Sequence, residues 1–314
     1  MFNYDKRFIA KRADEMGFIR DTIEKVYRLA DILEYLNQNP LLKASLALKG
    51  GTAVNLTLFN LPRLSVDIDL DYCKPVSRDE MLSERESINR DILKYMQSQD
   101  YTLSPKTKNP HSLDSWVFEY INSGGNRDNI KIEINYSMRV HILQPQEREL
   151  TTEDLPRGYK VNSLAAIEIF GSKITALINR AAARDLYDVN NMIYLGLFDE
   201  SECAFLKKCI IFYSAVSSKE LNVDFDTSKI DKLTEYKIKT DLRPVIRKKE
   251  HFDLEVAKKR VKTFIDALLV LTPQEKEFLN CFKEKQYRPE LLFDDTAIIE
   301  RIKNHPMVLW KMMN

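Results

Sequence analysis

The fold of this protein is decided by residues 46–70, which read LALKGGTAVNLTLFNLPRLSVDIDL. Residues 46–48 are apolar and predict a short buried strand that leads into a pair of glycines. Thr52 follows and is a suitable N-cap for a short helix that runs to about Leu58. Alternation of polar and apolar side chains over residues 64–72 then predicts a second strand. Strand, glycine turn, helix and strand therefore follow one another within a single short segment.

Three carboxylates share one face of the second predicted strand. Successive side chains of a strand point to opposite faces, so Asp67, Asp69 and Asp71 lie together, opposite three apolar residues. Carboxylates in such a row repel one another unless a cation or solvent intervenes. Two of them, in the spacing DxD, can hold Mg²⁺ (or Mn²⁺), because hard divalent cations take oxygen ligands. The strand therefore predicts a metal site at Asp67 and Asp69.

The glycine pair supplies a second element of the same chemistry. Gly50 and Gly51 let backbone N–H groups approach a phosphate closely at the positive end of a helix. A DxD strand by itself is more often the solvated face of an edge strand, and a lone glycine pair is more often an ordinary turn. Their combination, in this order, favours a site for nucleotide phosphates.

The quoted segment resembles the signature of the AbiEii-type nucleotidyltransferase toxins, a MenT-like family of type IV toxin–antitoxin systems. The superfamily to which they belong pairs a Gly-Ser or Gly-Gly turn with a downstream DxD strand. The resemblance implies that Gly51 and Thr52 handle phosphate and that Asp67 and Asp69 hold metal. Thr52 stands where the superfamily often has serine, which preserves the hydroxyl.

Two further residues of the segment come into question through the resemblance. Arg63 could pair with a carboxylate or a phosphate, and a plain surface arginine is an equally good interpretation. Ser65 shares the face of Asp67 if the strand has already begun there. A phosphate on Ser65 would add roughly two negative charges beside the metal site, which predicts a regulatory position that silences the enzyme.

A third carboxylate is expected from a neighbouring strand, as in the superfamily. Residues 115–121 and 130–137 predict two strands, joined by the turn-rich residues 122–126 as in a β-hairpin. Alternation in KIEINY places Glu133 opposite the apolar side chains, where it could act as a general base or a metal ligand. Asp71 is the alternative, and a solvent-facing strand glutamate is as good an interpretation of Glu133.

A second constellation lies in KITALINRAAARDLYDV, which begins at Lys173 and predicts one continuous helix. At about 100° per residue, Lys173, Arg180 and Arg184 nearly coincide around the axis, whereas Asp185 is turned about 120° from Lys173. Asp188 lies within about 60° of the cations. Such a stripe by itself is most often a solvated helix face.

The resemblance changes this interpretation. It implies that Lys173 and Asp185 are active-site residues, with Arg180 and Arg184 supporting them in nucleotide binding. The angular mismatch between Lys173 and Asp185 leaves two alternatives: a break separates them, or only one of them points to the nucleotide.

A basic stretch follows in residues 229–262, where twelve Lys/Arg and six Asp/Glu leave 12 − 6 = +6 on a chain whose net charge is +1. Aromatic Tyr236 and Phe252 are interleaved with these charges. The stretch could track an RNA backbone, because phosphate contacts supply most sequence-independent affinity. An ordinary helical surface is an equally good interpretation.

Composition bounds the remaining possibilities. The 314 residues suit one large domain or two modest ones, and the scattered cysteines and four histidines argue against zinc. The chain has neither an apolar signal-peptide region nor a run long enough to span a membrane, which predicts a cytoplasmic protein without membrane association. Helical periodicity dominates after residue 145.

The predicted fold is therefore α/β (α+β). A nucleotidyltransferase-fold mixed sheet with helices occupies residues 1–145, and a mainly helical domain in residues 146–314 contributes to the nucleotide cleft and to acceptor binding.

The predicted reaction follows from the resemblance. An acceptor hydroxyl, preferably at the tRNA 3′ end, attacks the α-phosphate of an NTP and releases pyrophosphate, and a cognate antitoxin encoded nearby restrains the enzyme. The alternatives are transfer to a protein or a small molecule, and a non-catalytic nucleotide-binding regulatory module. Which NTP is used stays open.

Overall fold

The computed structural model describes residues 4–150, 160–217, 221 and 223–313, and it divides into two compact units. The first, here the sheet unit, comprises the chain up to Arg139 together with Pro145–Leu164 and Pro244–Glu250. The second, here the helical unit, comprises Val140–Gln144, Ala165–Arg243 and the chain from His251 onward. The domain boundary between residues 145 and 146 stays a prediction.

The sheet unit is built on a mixed sheet in which β2 pairs parallel with β5 and antiparallel with β1, and β1 pairs parallel with β7. This confirms the predicted α/β class. Seven strands are formed by the described residues, in the spatial order β3-β4-β5-β2-β1-β7-β6. They are β1 (Leu46–Lys49), β2 (Asp67–Tyr72), β3 (Thr102–Leu103), β4 (Leu113–Ile121), β5 (Arg127–Asn135), β6 (Gln146–Glu149) and β7 (Lys160–Ser163).

Strand β2 begins at Asp67, three residues later than the alternation predicted. The two residues before it that could have extended the strand are engaged elsewhere. Leu64 N–H donates to the carbonyl of Val245 over 2.7 Å, and Arg63 forms a β-bridge with Ile246. Residues 63 and 64 therefore pair with a short piece of chain from much later in the sequence, and not with the strands that flank β2.

Several helices of the sheet unit pack against its strands. On β2, Ile68 and Leu70 are buried, which contributes about 1.5–3 kcal/mol each. Helix α5 begins with a Ser77–Glu80 capping box, as its polar N-terminal sequence favours. The helices are α1 (Lys6–Met16), α2 (Arg20–Gln38), α3 (Pro40–Ser45), α4 (Gly50–Ala53) and α5 (Arg78–Ser98); a π-helical turn (Val54–Leu58) extends α4.

The helical unit has its core around α8, whose central residues are buried on all sides. Helix α6 approaches α8 so closely that a Cβ on Gly171 would lie 2.8 Å from Cys209 Cβ, so glycine is required there. No helix in the described part of the chain has the length and apolarity to cross a bilayer. The helices are α6 (Ala166–Arg180), α7 (Ala183–Tyr194), α8 (Glu200–Ser217), α9 (Ser228–Asp231), α10 (Glu235–Lys237), α11 (Leu254–Leu268), α12 (Pro273–Lys283), α13 (Thr296–Ile302) and α14 (Pro306–Met313).

Candidate active site

The register of two parallel strands brings three carboxylates together in the sheet unit. Asp69 on β2 is paired with Glu133 on β5, and partners in register project to the same face of a sheet. Asp67 lies two residues before Asp69 and shares that face. All three are half-buried, and the opposite face of β2 is apolar. The result is an acidic face, defined here by Asp67, Asp69 and Glu133.

Asp71 is held differently from the acidic face. Its carboxylate forms an ion pair with Lys49 Nζ at 2.5 Å and is almost fully buried. Burial acts to lower the pKa of Lys49, but the nearby carboxylates of Asp71 and Asp69 together act against it, and the pKa is raised above its ordinary value. Glu133 also forms an ion pair, with Lys131 Nζ at 2.9 Å, but its side chain is 28% exposed against 3% for Asp71. Its greater accessibility makes Glu133 the better candidate for the third carboxylate.

The glycine pair packs directly against the acidic face. Gly50 has a left-handed backbone (φ 69°), and a Cβ there would collide with the carboxylate of Asp69. A Cβ on Gly51 would lie 2.6 Å from Arg63 Nη2 and 3.1 Å from Ser65 Oγ. Gly50 needs glycine because its backbone is left-handed, whereas at Gly51 an added Cβ would displace the guanidinium of Arg63. This contact joins the two halves of the predicted motif.

Two predicted residues are placed in supporting positions. Thr52 is fully buried, and its hydroxyl donates to the backbone carbonyl of Asp67, so it anchors the start of β2. Arg63 is also buried, and its guanidinium donates to the carbonyl of Leu64 at 3.0 Å. Ser65 stays half-buried beside Gly51.

The acidic face suits a divalent cation that takes some of its ligands from the protein and the rest from a substrate. Its donors are carboxylate oxygens, which Mg²⁺ and similar hard cations prefer. Within the described residues, no group of three acidic, cysteine or histidine side chains is arranged as a ready-made metal cage. Mg²⁺ is commonly held by one or two carboxylates, with phosphate oxygens and water completing the shell. The carboxylates of the acidic face therefore fit a Mg²⁺ ion that is also bound by substrate phosphate.

A buried charge cluster occupies the second predicted region, in the helical unit. Lys173 Nζ lies 3.1 Å from Asp185 Oδ1 and 2.9 Å from Asp188 Oδ2, and all three side chains are less than 10% exposed. Arg180 donates to the other oxygen of Asp185, at 2.9 Å. Two cations and two carboxylates thus neutralise one another. We call these four residues the lysine cluster.

The prediction of one continuous helix through this region is wrong. Helix α6 ends at Arg180, Ala181 is left-handed (φ 50°), and α7 begins at Ala183. The break reorients α7 so that Asp185 faces Lys173, which decides between the two alternatives left open by the helical angles. Arg184 departs from the predicted stripe, because its Nε donates to the carbonyl of Asp241 over 2.8 Å.

One partner in these sites was not predicted from the sequence. Lys49 was given no role, although the antiparallel pairing of β1 with β2 brings it beside the acidic strand. Asp188, which the sequence placed near the cations as an aspartate that could orient them, makes the shorter contact to Lys173. The signal for Lys49 was its position directly before the glycine pair.

A mixed sheet whose paired carboxylates pack on a glycine turn agrees with the nucleotidyltransferase class that the sequence predicts. The model of the family described as "Nucleotidyl transferase AbiEii toxin, Type IV TA system" matches residues 31–284. The chain belongs to this family of nucleotidyltransferase toxins, which generally use an NTP and a divalent metal.

One solved structure with the same fold is MenT4, a nucleotidyltransferase toxin from Mycobacterium tuberculosis H37Rv. The two are similar at a TM-score of 0.64 with 16% sequence identity, over 93% of this chain and 97% of that one. No curated protein matches the chain.

Proposed function

We propose that this chain transfers a nucleoside monophosphate from an NTP to the 3′ end of tRNA, in a reaction that depends on Mg²⁺ and tolerates Mn²⁺. Because tRNA and NTPs are found in the cytoplasm, we expect the reaction to take place there. A cognate antitoxin encoded nearby would restrain it. The observation that carries the proposal is the register of β2 with β5, which sets Glu133 beside Asp69 on the face against which Gly50 packs.

In the proposed reaction, the acceptor hydroxyl attacks the α-phosphate, a new P–O bond forms, and the bond to the β-phosphate oxygen breaks to release pyrophosphate. Bound divalent metal would supply charge neutralisation and a lower hydroxyl pKa. Asp67 and Asp69 would hold the metal. Glu133 would accept the proton of the attacking hydroxyl, since it is the carboxylate of the acidic face on the neighbouring strand.

The glycine turn would bind the phosphates of the NTP. The backbone N–H groups of Gly51 and Thr52 lie at the start of α4, where the helix dipole favours an anion. Thr52 would contribute through its backbone, since its hydroxyl anchors Asp67. A phosphate on Ser65 would add about two negative charges beside this turn and silence the reaction.

The lysine cluster would take part in nucleotide binding. Lys173 would neutralise phosphate charge, with Asp185 orienting its ammonium through a charge-assisted hydrogen bond. Arg180, whose side chain is 67% exposed, has room to exchange its carboxylate partner for a phosphate. Arg184 would support the cluster by fixing α7 to the carbonyl of Asp241. This assignment gives the predicted domain of residues 146–314 its part in nucleotide binding.

The test measures transfer of label from an NTP to tRNA. Purified protein is incubated with Mg²⁺, total tRNA and each labelled NTP in turn, and the products are separated on denaturing gels. Asp67→Asn keeps the shape of the side chain and removes its charge, so labelling should fall about 100-fold or more, because metal binding supplies several kcal/mol of transition-state stabilisation.

A matched control is Glu119→Gln, which removes a half-buried carboxylate from β4 on the same sheet face, away from Asp67. Its labelling should equal that of the unchanged protein. Label on protein or on a small molecule, with none on tRNA, would replace the acceptor in the proposal. Absence of transfer to any acceptor would overturn it.

A further inference from the structure

A cleft of about 630 Å³ lies within the sheet unit and is lined on one side by consecutive basic residues. Its walls come from three parts of the chain: the end of α1, the link that follows the π-helical turn, and the late segment 244–250. The residues that matter here are Arg12, Asn60, Leu61, Arg247, Lys248 and Lys249. We call this the basic cleft.

The basic side of the cleft is held rigidly by its backbone. Lys248 N–H donates to the carbonyl of Gly17 at 2.7 Å, and a turn is closed by the hydrogen bond from Glu250 N–H to the Arg247 carbonyl at 3.0 Å. Just before the turn, Val245 and Ile246 are buried. The cationic side chains of the turn are nevertheless exposed. The fold therefore fixes the backbone while leaving the charges in water.

These charges are only partly neutralised inside the protein. Four cations line the cleft against two carboxylates, Asp14 and Glu15, which leaves 4 − 2 = +2. Lys248 is 3.8 Å from Asp14, at the outer limit of an ion pair. Within the described residues, no acidic side chain pairs with Arg247 or Lys249. Adjacent like charges repel, and an anion in the cleft relieves that repulsion.

Other cations of the basic stretch are used within the helical unit. Lys258 pairs with Glu255 at 2.8 Å, Lys262 bonds to Asp231, and Lys229 donates to a backbone carbonyl of α6. Arg247, Lys248 and Lys249 differ, because they belong to the sheet unit and line an open cleft. These three cations of the +6 stretch therefore have partners within the protein, whereas the three of the turn lie side by side on an open cleft.

The basic cleft adjoins the segment that carries the acidic face. Leu61, one of its lining residues, is six residues before Asp67. An extended chain spans at most about 3.6 Å per residue, so the two Cα atoms lie within roughly 20 Å of each other. A chain of nucleotides held in the cleft is therefore within a few nucleotide lengths of the metal-binding carboxylates.

We propose that the basic cleft binds the phosphodiester backbone of the acceptor RNA, a step that rests on the function proposed above. The glycine turn already offers a place for the triphosphate, whereas the cleft offers several exposed cations along an open surface. Phosphate contacts of this kind position a nucleic acid without reading its sequence. Arg247, Lys248 and Lys249 would act as positioning residues for the acceptor, whereas Arg12 is already paired with Glu15 at 2.7 Å.

The experiment measures binding by the full-length protein without requiring turnover. Fluorescence anisotropy of labelled tRNA is recorded over a range of salt for Arg247→Glu/Lys249→Glu. The matched control is Lys94→Glu/Lys276→Glu, which makes the same charge change at two exposed helix positions. Binding of a fluorescent NTP analogue and the thermal unfolding midpoint are measured for each protein.

The cleft variant should bind tRNA at least about 10-fold more weakly, and its salt slope should be shallower by about 1.5, as expected when two phosphate contacts are lost. NTP binding and the unfolding midpoint should not change, and the control should bind tRNA much as the unchanged protein does. Equal loss in both double variants would mean a general charge effect and would overturn the assignment. Loss of NTP binding with tRNA binding intact would assign the cleft to the triphosphate and also overturn it.

The two proposals fail in distinguishable ways. If the unchanged protein labels no tRNA, the proposed function fails, and the binding data still decide whether the cleft takes RNA. If it labels tRNA while the cleft variant binds and labels tRNA normally, the function stands and the cleft assignment is wrong.

Discussion

Carboxylates lie close together both in the acidic face of the sheet unit and in the lysine cluster of the helical unit, but their surroundings are opposite. The acidic face keeps three carboxylates half-exposed, where the proposed divalent ion can reach them. The lysine cluster buries two carboxylates and neutralises them with Lys173 and Arg180. The first arrangement is open to a ligand at little cost in stability. In the second, the same charges that would meet a phosphate also stabilise the fold.

The largest expected effect separates the two regions by stability. Lys173→Met leaves two carboxylates buried without their central cation, and should lower the free energy of unfolding by about 3–5 kcal/mol, as for other broken buried pairs. Urea unfolding followed by circular dichroism measures this. Lys173→Met/Asp188→Asn removes one of the stranded charges and should recover part of the loss. An unchanged unfolding midpoint for Lys173→Met would mean that the cluster contributes nothing to stability.

The next effect separates two carboxylates in the sheet unit. Glu133→Gln should lower nucleotide transfer about 100-fold, the usual contribution of a positioned base, while changing the free energy of unfolding by less than about 1 kcal/mol. Asp71→Asn should mainly reduce stability, by about 1–3 kcal/mol, because it strands the charge of Lys49. Transfer assays and urea unfolding of both variants show which carboxylate serves the reaction and which serves stability. The reverse pattern would make Asp71 the third carboxylate.

A third, smaller effect tests the contact between the glycine turn and the acidic face. Gly50→Ala and Gly125→Ala both place alanine at a positive φ, at a cost of about 1–2 kcal/mol. Only at Gly50 would the added Cβ meet the carboxylate of Asp69, since nothing lies within 4 Å at Gly125. Gly50→Ala should therefore lose roughly 10-fold more transfer activity than Gly125→Ala. Equal activities would show that the close packing is irrelevant to the reaction.

The smallest effect concerns the break before the lysine cluster. Ala181 is left-handed, so Ala181→Gly should raise the free energy of unfolding by up to about 1 kcal/mol. Ala176→Gly, within α6, should lower it by about 0.5–1 kcal/mol. Both are measured by urea unfolding. A loss of stability in Ala181→Gly would indicate that α6 and α7 form one helix in solution.

The same contrast explains how far the sequence could predict the molecule. Alternation alone places Asp67, Asp69 and Glu133 on polar strand faces, because a strand repeats every two residues whatever surrounds it. The pairing of Glu133 with Asp69 required the register, which no local pattern contains. Prediction of β6 failed because its four residues, Gln-Glu-Arg-Glu, carry no apolar alternation.

The lysine cluster was harder to predict, because it depends on a break that local propensity opposes. Residues 181–183 are three alanines, and alanine is the best helix former, so the chain reads as continuous. The break is stabilised instead by tertiary contacts, including the ion pairs from Lys173 and Arg180 to Asp185. The return of segment 244–250 to the sheet unit was missed for the same reason, since it depends on contacts distant in sequence.

The returning segment 244–250 becomes available to the sheet unit only late in translation. Leu64, just before β2, takes its backbone partner from Val245, which is 245 − 64 = 181 residues later in the chain. A ribosome that adds about 5–20 residues per second needs roughly 10–40 seconds to reach it. Throughout that interval the nascent toxin has its acidic strand but neither the bridge at Arg63 nor the cations of the basic cleft. The contacts that complete the sheet unit around residues 63 and 64 thus form only after most of the chain has been synthesised.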